Sequence, residues 1–229
     1  FSDCNGDGIG DLQGIIQRLD YLNNGKADQE NGLGIDAIWL SPINESPLFD
    51  NGYDVSDYYD ICHTFGTLED FQLLLKEAHQ RGIKVILDLV INHTSNEHPW
   101  FLESRSSPYS PKSDWYLWQD PTAEGDVPNN WLSYFGGTGW TFDEKRQQYY
   151  YHAFNANQPD LNWHNPEVRA AIYDVIRYWL DLGVDGFRLD ASSAYSQDKY
   201  FRDNPVKFQT SGKKYDEQYH IYDKNLPEN

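Results

Sequence analysis

Residues Gly183-Val-Asp-Gly-Phe-Arg-Leu-Asp190 decide the fold. The octet is a short apolar run carrying Arg188 and Asp190 two positions apart, and in a strand such residues point to the same side. It follows a run of Val168, Ile172, Val175, Ile176 and Trp179 at helical spacing. That run is framed by Asn165 as N-cap, Pro166 at the first helical position and Gly183 just past the end. Helix then buried strand, with a guanidinium and a carboxylate delivered to the strand's C-terminal end, is the unit from which the rest is read. An arginine beside a carboxylate keeps it ionised, as a carboxylate nucleophile requires. A structural ion pair closing the strand is the alternative.

Working outward, the unit repeats. Ile35 to Leu40 and Lys84 to Val90 read as two further short buried strands. Leu12, Ile15, Ile16, Leu19 and Leu22 predict a helix before the first. Thr67 with Asp70 forms a capping box that opens a helix over Phe71, Leu74, Leu75 and Ala78, ending near Gly82. Between them, Asn23 to Gly34 and Ser41 to Asp60 read as loops. Helix, strand and loop in repetition is the pattern of a parallel sheet wrapped by helices, whose ligand site lies at the carboxyl ends of the strands. Asp50 and Tyr53, Asn92 and His93, and Arg188 and Asp190 all fall at such ends, which favours an active site over isolated ion pairs. From Thr94 to Trp163 the periodicity fails in a stretch rich in Pro, Trp, Tyr and Asn. It is far longer than a usual connection of about 4–6 residues, so an inserted subdomain is expected there.

Composition narrows the partners. Of 229 residues, 36 are acidic and 18 basic, so the net charge of −18 disfavours nucleic acid and anionic membranes. Aromatic residues make up 16%, a supply of flat faces suited to sugar rings. Cys4 and Cys62 have no CxxC spacing and read as free thiols; neither fixes the compartment, with the cytoplasm slightly favoured. No apolar run reaches the roughly 18 residues of a membrane-spanning helix. Phe1 is not a methionine, so the absence of a leader carries no information.

The opening segment Asp3-Cys-Asn-Gly-Asp-Gly-Ile-Gly-Asp11 places oxygen side chains at Asp3, Asn5, Asp7 and Asp11, with Ile9 offering its carbonyl. This matches the first part of an EF-hand loop, but Gly14 stands where the bidentate glutamate belongs. The reading is a hard-cation site for Ca²⁺ or Mg²⁺ in a structural role; a solvated turn capping the next helix is the alternative.

Several motifs together carry a family resemblance. Asp88-Leu-Val-Ile-Asn92-His93 is similar to the third-strand signature of the α-amylase superfamily of glycoside hydrolases (family 13). Gly186-Phe-Arg-Leu-Asp190 is similar to its fourth-strand signature, Gln158-Pro-Asp-Leu-Asn162 to the motif near the end of its inserted domain, and Asp50-Asn-Gly-Tyr53 to its second-strand loop. The opening loop resembles the metal loop of the oligo-1,6-glucosidase and α-glucosidase branch. In the family's order, these motifs span residues 1 to about 190.

The resemblance implies an α/β fold, the (β/α)8 TIM barrel, here incomplete with about strands 2–4. Residues 1–93 would open the barrel, 94–163 form the inserted domain B after strand 3, and 164–229 continue the barrel with the nucleophile strand. It implies retaining hydrolysis of α-glucosidic bonds in short oligosaccharides. Asp190 would be the nucleophile and Arg188 the residue that keeps it ionised. His93 would hydrogen-bond the sugar, Tyr53 stack on it and Asp50 bind its hydroxyls, with Phe135, Phe154 and Gln158 as further wall residues. The family's general acid, a fifth-strand glutamate, has no counterpart: Glu217 and Glu228 sit in a polar, tail-like stretch. The chain therefore reads as an N-terminal half-barrel, inactive alone, whose expected partner is the C-terminal half. An isomerase or transglycosylase such as a trehalose synthase or sucrose isomerase-like enzyme shares the same motifs. A non-catalytic binding relative is the third reading; it predicts loss of Asp190 and a membrane anchor. Ala191, where oligo-1,6-glucosidases carry valine, points toward α-1,4 linkages. The lengthened segment Gly25 to Asn31 has no functional reading.

Overall fold

The computed structural model describes residues 2–26, 32–207, 214–224 and 226; most of the Gly25 to Asn31 segment, and Glu228, lie outside the described residues. The chain divides into two compact units, the second made of residues 47–56, 90–172 and 190–229 and the first of the remainder.

The first unit is built on three parallel strands, β1 (Ala37–Leu40), β4 (Lys84–Leu89) and β8 (Gly186–Leu189), in the order β1-β4-β8. Between the first two in sequence lies a small antiparallel pair, β2 (Asn44–Glu45) with β3 (Asp57–Ile61). β1 meets β4 with Leu40 opposite Leu87, and β4 meets β8 with Asp88 opposite Arg188. The start of β8 is pinned by Asp185, whose carboxylate accepts from the Val85 amide (2.9 Å), Lys84 Nζ (3.1 Å) and the His79 ring (2.7 Å).

Helix α3 (Leu68–Gln80) begins on the expected capping box. Thr67 Oγ1 accepts from the Asp70 amide (3.2 Å) and the Asp70 carboxylate accepts from the Thr67 amide (2.9 Å). Its face of Phe71, Leu74, Leu75 and Ala78 is buried, with Phe71 edge-on to Trp179 at 5.4 Å. Helix α5 (Pro166–Leu182) starts where the Asn165 side chain accepts from the Glu167 amide (2.8 Å) and stops before Gly183, whose φ of 108° suits glycine.

Three expectations change. The single helix expected over Leu12 to Leu22 is two short ones, α1 (Leu12–Ile16) and α2 (Leu19–Leu22), because Arg18 leaves the helical region with φ −109° and ψ 5°. The stretch read as loop from Ser41 to Asp60 contains β2 and most of β3, where Tyr58 and Ile61 face inward but only two apolar positions announce the strand. β1 and β8 are not buried strands: Trp39 is 53% and Leu189 50% exposed, while β4 between them is largely buried. Among the described residues β1 and β8 each pair with β4 alone, so one edge of each stays open.

The second unit holds helix α4 (Pro99–Ser104) and an antiparallel sheet of β5 (Trp118–Gln119), β6 (Trp140–Asp143) and β7 (Gln148–Tyr151), ordered β5-β7-β6. Its core is aromatic: Trp131, Trp140 and Tyr151 are packed with Leu117 and Ala153, and Phe201 and Tyr222 close over them. The described residues around Glu217, which read as tail-like, are packed together with the segment that precedes them. Trp131 donates its indole N–H to the Arg202 carbonyl (2.8 Å), and Asn130 and Asn204 exchange side-chain and backbone hydrogen bonds. Tyr215 stacks on His220 at 3.7 Å, and Gln218 is buried. These side chains satisfy buried polar groups that local sequence patterns do not report.

Thr67→Ala removes the acceptor for the Asp70 amide at the start of α3. It should lower unfolding free energy by about 1 kcal/mol, read as a lower urea midpoint with an unchanged slope.

Candidate active site

In the second unit the site is built around a turn and a buried histidine. The turn Phe49 to Asp54 uses left-handed backbone at Asn51 (φ 52°) and Gly52 (φ 97°). It is clamped by Asp54, fully buried, whose two carboxylate oxygens accept from the Phe49 and Asp50 amides, each at 3.0 Å. The Tyr53 amide donates to the Asp50 carbonyl (3.0 Å) and closes the turn. Gln158, 1% exposed, donates from Nε2 to the Asp50 carboxylate (3.0 Å) and accepts from the Asn155 amide (3.1 Å). The residue expected as a wall element is therefore the anchor of the Asp50 carboxylate.

His93 is 2% exposed, and its ring joins the two parts. Nε2 faces the Tyr53 carbonyl at 3.1 Å and Nδ1 faces the Asn92 side-chain nitrogen at 3.2 Å. A carbonyl only accepts and an amide nitrogen only donates, so the ring is neutral with its proton on Nε2. Burial lowers its pKa from 6.5 to about 4, against the smaller upward pull of the Tyr53 carbonyl. Phe154 leans on the ring at 5.3 Å; it stacks on Tyr134 at 4.9 Å and meets Phe135 edge-on at 6.1 Å. Phe135 itself is 65% exposed. Asp50, Tyr53, His93, Phe154 and Gln158 thus form one connected group, with Phe135 at its exposed margin.

Asp190 is placed by a separate chain of contacts in the same unit. The Tyr195 hydroxyl donates to the Asp190 carbonyl, the Tyr195 ring stacks on Trp163 at 5.1 Å, and the Trp163 indole donates to the Ile91 carbonyl (2.9 Å). Ile91 lies two residues before His93. β8 ends at Leu189, one residue short of Asp190, and Ala191 follows in left-handed backbone with φ 47°.

In the first unit, Arg188 Nη1 lies 3.0 and 3.1 Å from the two carboxylate oxygens of Asp88, and its guanidinium sits 5.3 Å from the Trp39 ring. The Asp88 side chain is fully buried. In the sequence Asp88 stands out only as part of a motif; its position opposite Arg188 in the parallel register reveals the pairing.

The opening loop also belongs to the first unit. Asp3 accepts from the Gly6 and Gly8 amides (2.7 and 2.8 Å), Asn5 from Asp7, Asp7 from Ile9, and Asp11 from Cys4, Asn5 and Gly14. The amides of Gly8 and Gly6 lower the Asp3 pKa. The carboxylate oxygens of Asp3, Asp7 and Asp11 do not all lie within 4.8 Å of one another. Their chemistry, oxygen ligands with three negative charges, fits a hard cation. Asp11 does double duty as N-cap of α1.

The family model for the catalytic domain of alpha amylase matches residues 1–229, and the chain belongs to that family. The family's catalytic domain is a (β/α)8 barrel. The chain is 53% identical over 237 residues to the "Probable alpha-glucosidase" of Rhizobium meliloti (strain 1021), covering 100% of this chain and 42% of that protein. It is 51% identical over 215 residues to the oligo-1,6-glucosidase of Parageobacillus thermoglucosidasius, covering 94% and 36%. The crystal structure of an alpha-glucosyl transfer enzyme superposes with a TM-score of 0.91 at 50% identity, covering 99% of this chain and 42% of that one. The chain therefore spans about two fifths of the length of these relatives.

His93 should titrate near pH 4 by ring NMR signals, far below the value of 6.5 of a free histidine. The unfolded chain binds the proton between those values and the folded chain does not, so His93 lowers stability as pH falls from 6.5 toward 4. His98, lowered to about 3 by burial, acts in the same direction. Asp160, raised by burial to about 8, contributes stability below its ordinary 3.8 that is lost as pH rises through 8. A His93→Phe variant should lose its share of the acid-side slope while the Asp160 slope stays.

Proposed function

We propose that the protein carrying this chain is a retaining glycosidase that acts on short α-glucosides, with Asp190 as nucleophile. The single observation that carries the reading is the connected group of Asp50, Gln158, Tyr53, His93 and Phe154 in the unit that also presents Asp190. A carboxylate fixed by an amide and aromatic faces are what a single glucosyl ring needs, an acceptor for its hydroxyls and flat apolar surface for its C–H face, while the His93 imidazole holds the Tyr53 turn in place. The Asp50 carboxylate keeps one oxygen for a sugar hydroxyl while the other accepts from Gln158. Tyr53 supplies the stacking face. Arg188, anchored on Asp88, stands two residues before the nucleophile in the chain.

In the reaction, the Asp190 carboxylate attacks the anomeric carbon as the bond to the leaving oxygen breaks, and a protonated acid supplies that oxygen's proton. Water then hydrolyses the glucosyl ester, with the same acid acting as base. In this reading the parallel strands β1, β4 and β8 are strands 2–4 of the barrel. Residues 94–163 form the inserted domain, residues 1–93 and 164–229 the parts of the barrel on either side, and the acid comes from the remaining strands. Hence the 229-residue chain alone should not hydrolyse an aryl α-glucoside. Ala191 after the nucleophile favours α-1,4 linkages.

Transfer to a sugar rather than to water is the second reading. It is favoured by the likeness to the alpha-glucosyl transfer enzyme, as close in identity as the likeness to the glucosidases. Glucose release and transglycosylation products, separated by chromatography, distinguish the two. Asp190→Asn in the intact protein should reduce kcat/KM by about 10⁴-fold or more without unfolding it; retained turnover would remove Asp190 from the mechanism.

The loop Asp3 to Asp11 is proposed to hold Ca²⁺, or Mg²⁺, through Asp3, Asn5, Asp7, the Ile9 carbonyl and Asp11, in a structural role that fastens the start of α1. Chelation should lower the melting temperature, Ca²⁺ should restore it, and Asp7→Asn should weaken Ca²⁺ binding about tenfold or more through the lost charge.

A further inference from the structure

Among the described residues outside the groups above, one cluster combines three different ligand chemistries. Glu45 lies on β2, Cys62 directly follows β3, and His63 begins the turn after it. The β2–β3 pair brings them together. Asn44 opposes Ile61, the ladder slips between Asn44 and Glu45, and the Cys62 amide donates to the Ile43 carbonyl (2.8 Å). In a continuing strand Cys62 and His63 would point to opposite sides. Here the chain turns instead, with the Phe65 amide donating to the Cys62 carbonyl (2.8 Å). One carboxylate oxygen of Glu45, Cys62 Sγ and one ring nitrogen of His63 lie within 4.8 Å of one another.

The three are graded in depth. Cys62 is fully buried, Glu45 half-buried and His63 exposed. Among the described residues, no hydrogen bond or ion pair links them to one another or engages their side chains elsewhere. A catalytic triad would show such bonds and an open nucleophile; this thiol is shielded from any substrate larger than an ion. A single carboxylate beside sulfur and imidazole is a poor set for Ca²⁺ or Mg²⁺. Thiolate, imidazole and carboxylate are the ligands of Zn²⁺, which in a tetrahedron sit about 3.3–3.8 Å apart at bond lengths of about 2.0–2.3 Å. Closing to that spacing takes side-chain shifts of about 1 Å in Glu45 and His63, of which one is half-buried and the other exposed.

We propose that Glu45, Cys62 and His63 form a binding site for Zn²⁺ or a cation of like softness, with a water as fourth ligand. Binding converts the Cys62 thiol to a thiolate and releases its proton to solvent. The ion would staple β2 to the turn after β3, and the net charge of −18 favours cation capture. The site is distinct in chemistry from the all-oxygen opening loop and does not depend on the proposed reaction.

Co²⁺ is the probe, because a cobalt–thiolate bond adds an intense near-ultraviolet charge-transfer band that oxygen ligands do not give. In the intact protein held with saturating Ca²⁺, the band should grow to one Co²⁺ per chain, and equimolar Zn²⁺ should erase it. Cys62→Ser should abolish the band, while Cys4→Ser, beside the opening loop, should keep it. Since Cys62 is buried and its replacement can disturb folding, the exposed ligand gives the cleaner variant. His63→Ala should retain the native circular dichroism and weaken Co²⁺ binding at least tenfold. No band in the native protein, or an unchanged band and affinity in both Cys62→Ser and His63→Ala, would overturn the proposal.

Discussion

The pairing of Asp88 with Arg188 across β4 and β8 is the constraint on which the arrangement depends. A carboxylate with no exposed surface is costly to bury unless a cation meets it, and in parallel strands a slip of one residue would send Arg188 to the opposite face. Register and ion pair therefore enforce one another. The chain position of Asp190, two residues on, inherits that register. Removing Arg188 takes from the buried Asp88 carboxylate the cation it faces.

A second constraint works by exclusion of water. His93 is neutral because burial disfavours its charged form, and its two nitrogens have partners of fixed character. The ring is thus locked in one tautomer before any ligand arrives. Asp54 does the same for the turn that carries Asp50 and Tyr53, exchanging water for two backbone amides. Preorganisation of this kind lets a small number of polar groups act on a sugar without first paying to be ordered.

Much of this was legible in the sequence, where a local rule governs. The Thr67 and Asp70 box, Asn165 and Pro166 at the start of α5, Gly183 at its end and the strand of Lys84 to Leu89 all follow from spacing over a few residues. What escaped depends on contacts distant in the chain. Asp88 and Arg188 are a hundred residues apart, and Gln158 meets Asp50 only after the second unit has folded. The packing of Phe201, Arg202, Asn204 and Gln218 against Trp131 and Asn130 escaped for the same reason. Tyr134, Tyr215 and His220 look like polar surface in one dimension and form a stack in three. The β2–β3 pair was missed because Asp57 and Asp60 mask a strand only five residues long.

The central claim is that Asp190 is the group that takes up the glucosyl unit. The most direct test is to trap it. Incubation of the intact protein with a fluorinated α-glucosyl fluoride, whose glycosyl ester hydrolyses slowly, should add one sugar per chain. Peptide mass spectrometry should place that sugar on the peptide containing Asp190. A glycosyl label on any other carboxylate, or inactivation without a covalent sugar, would contradict the account.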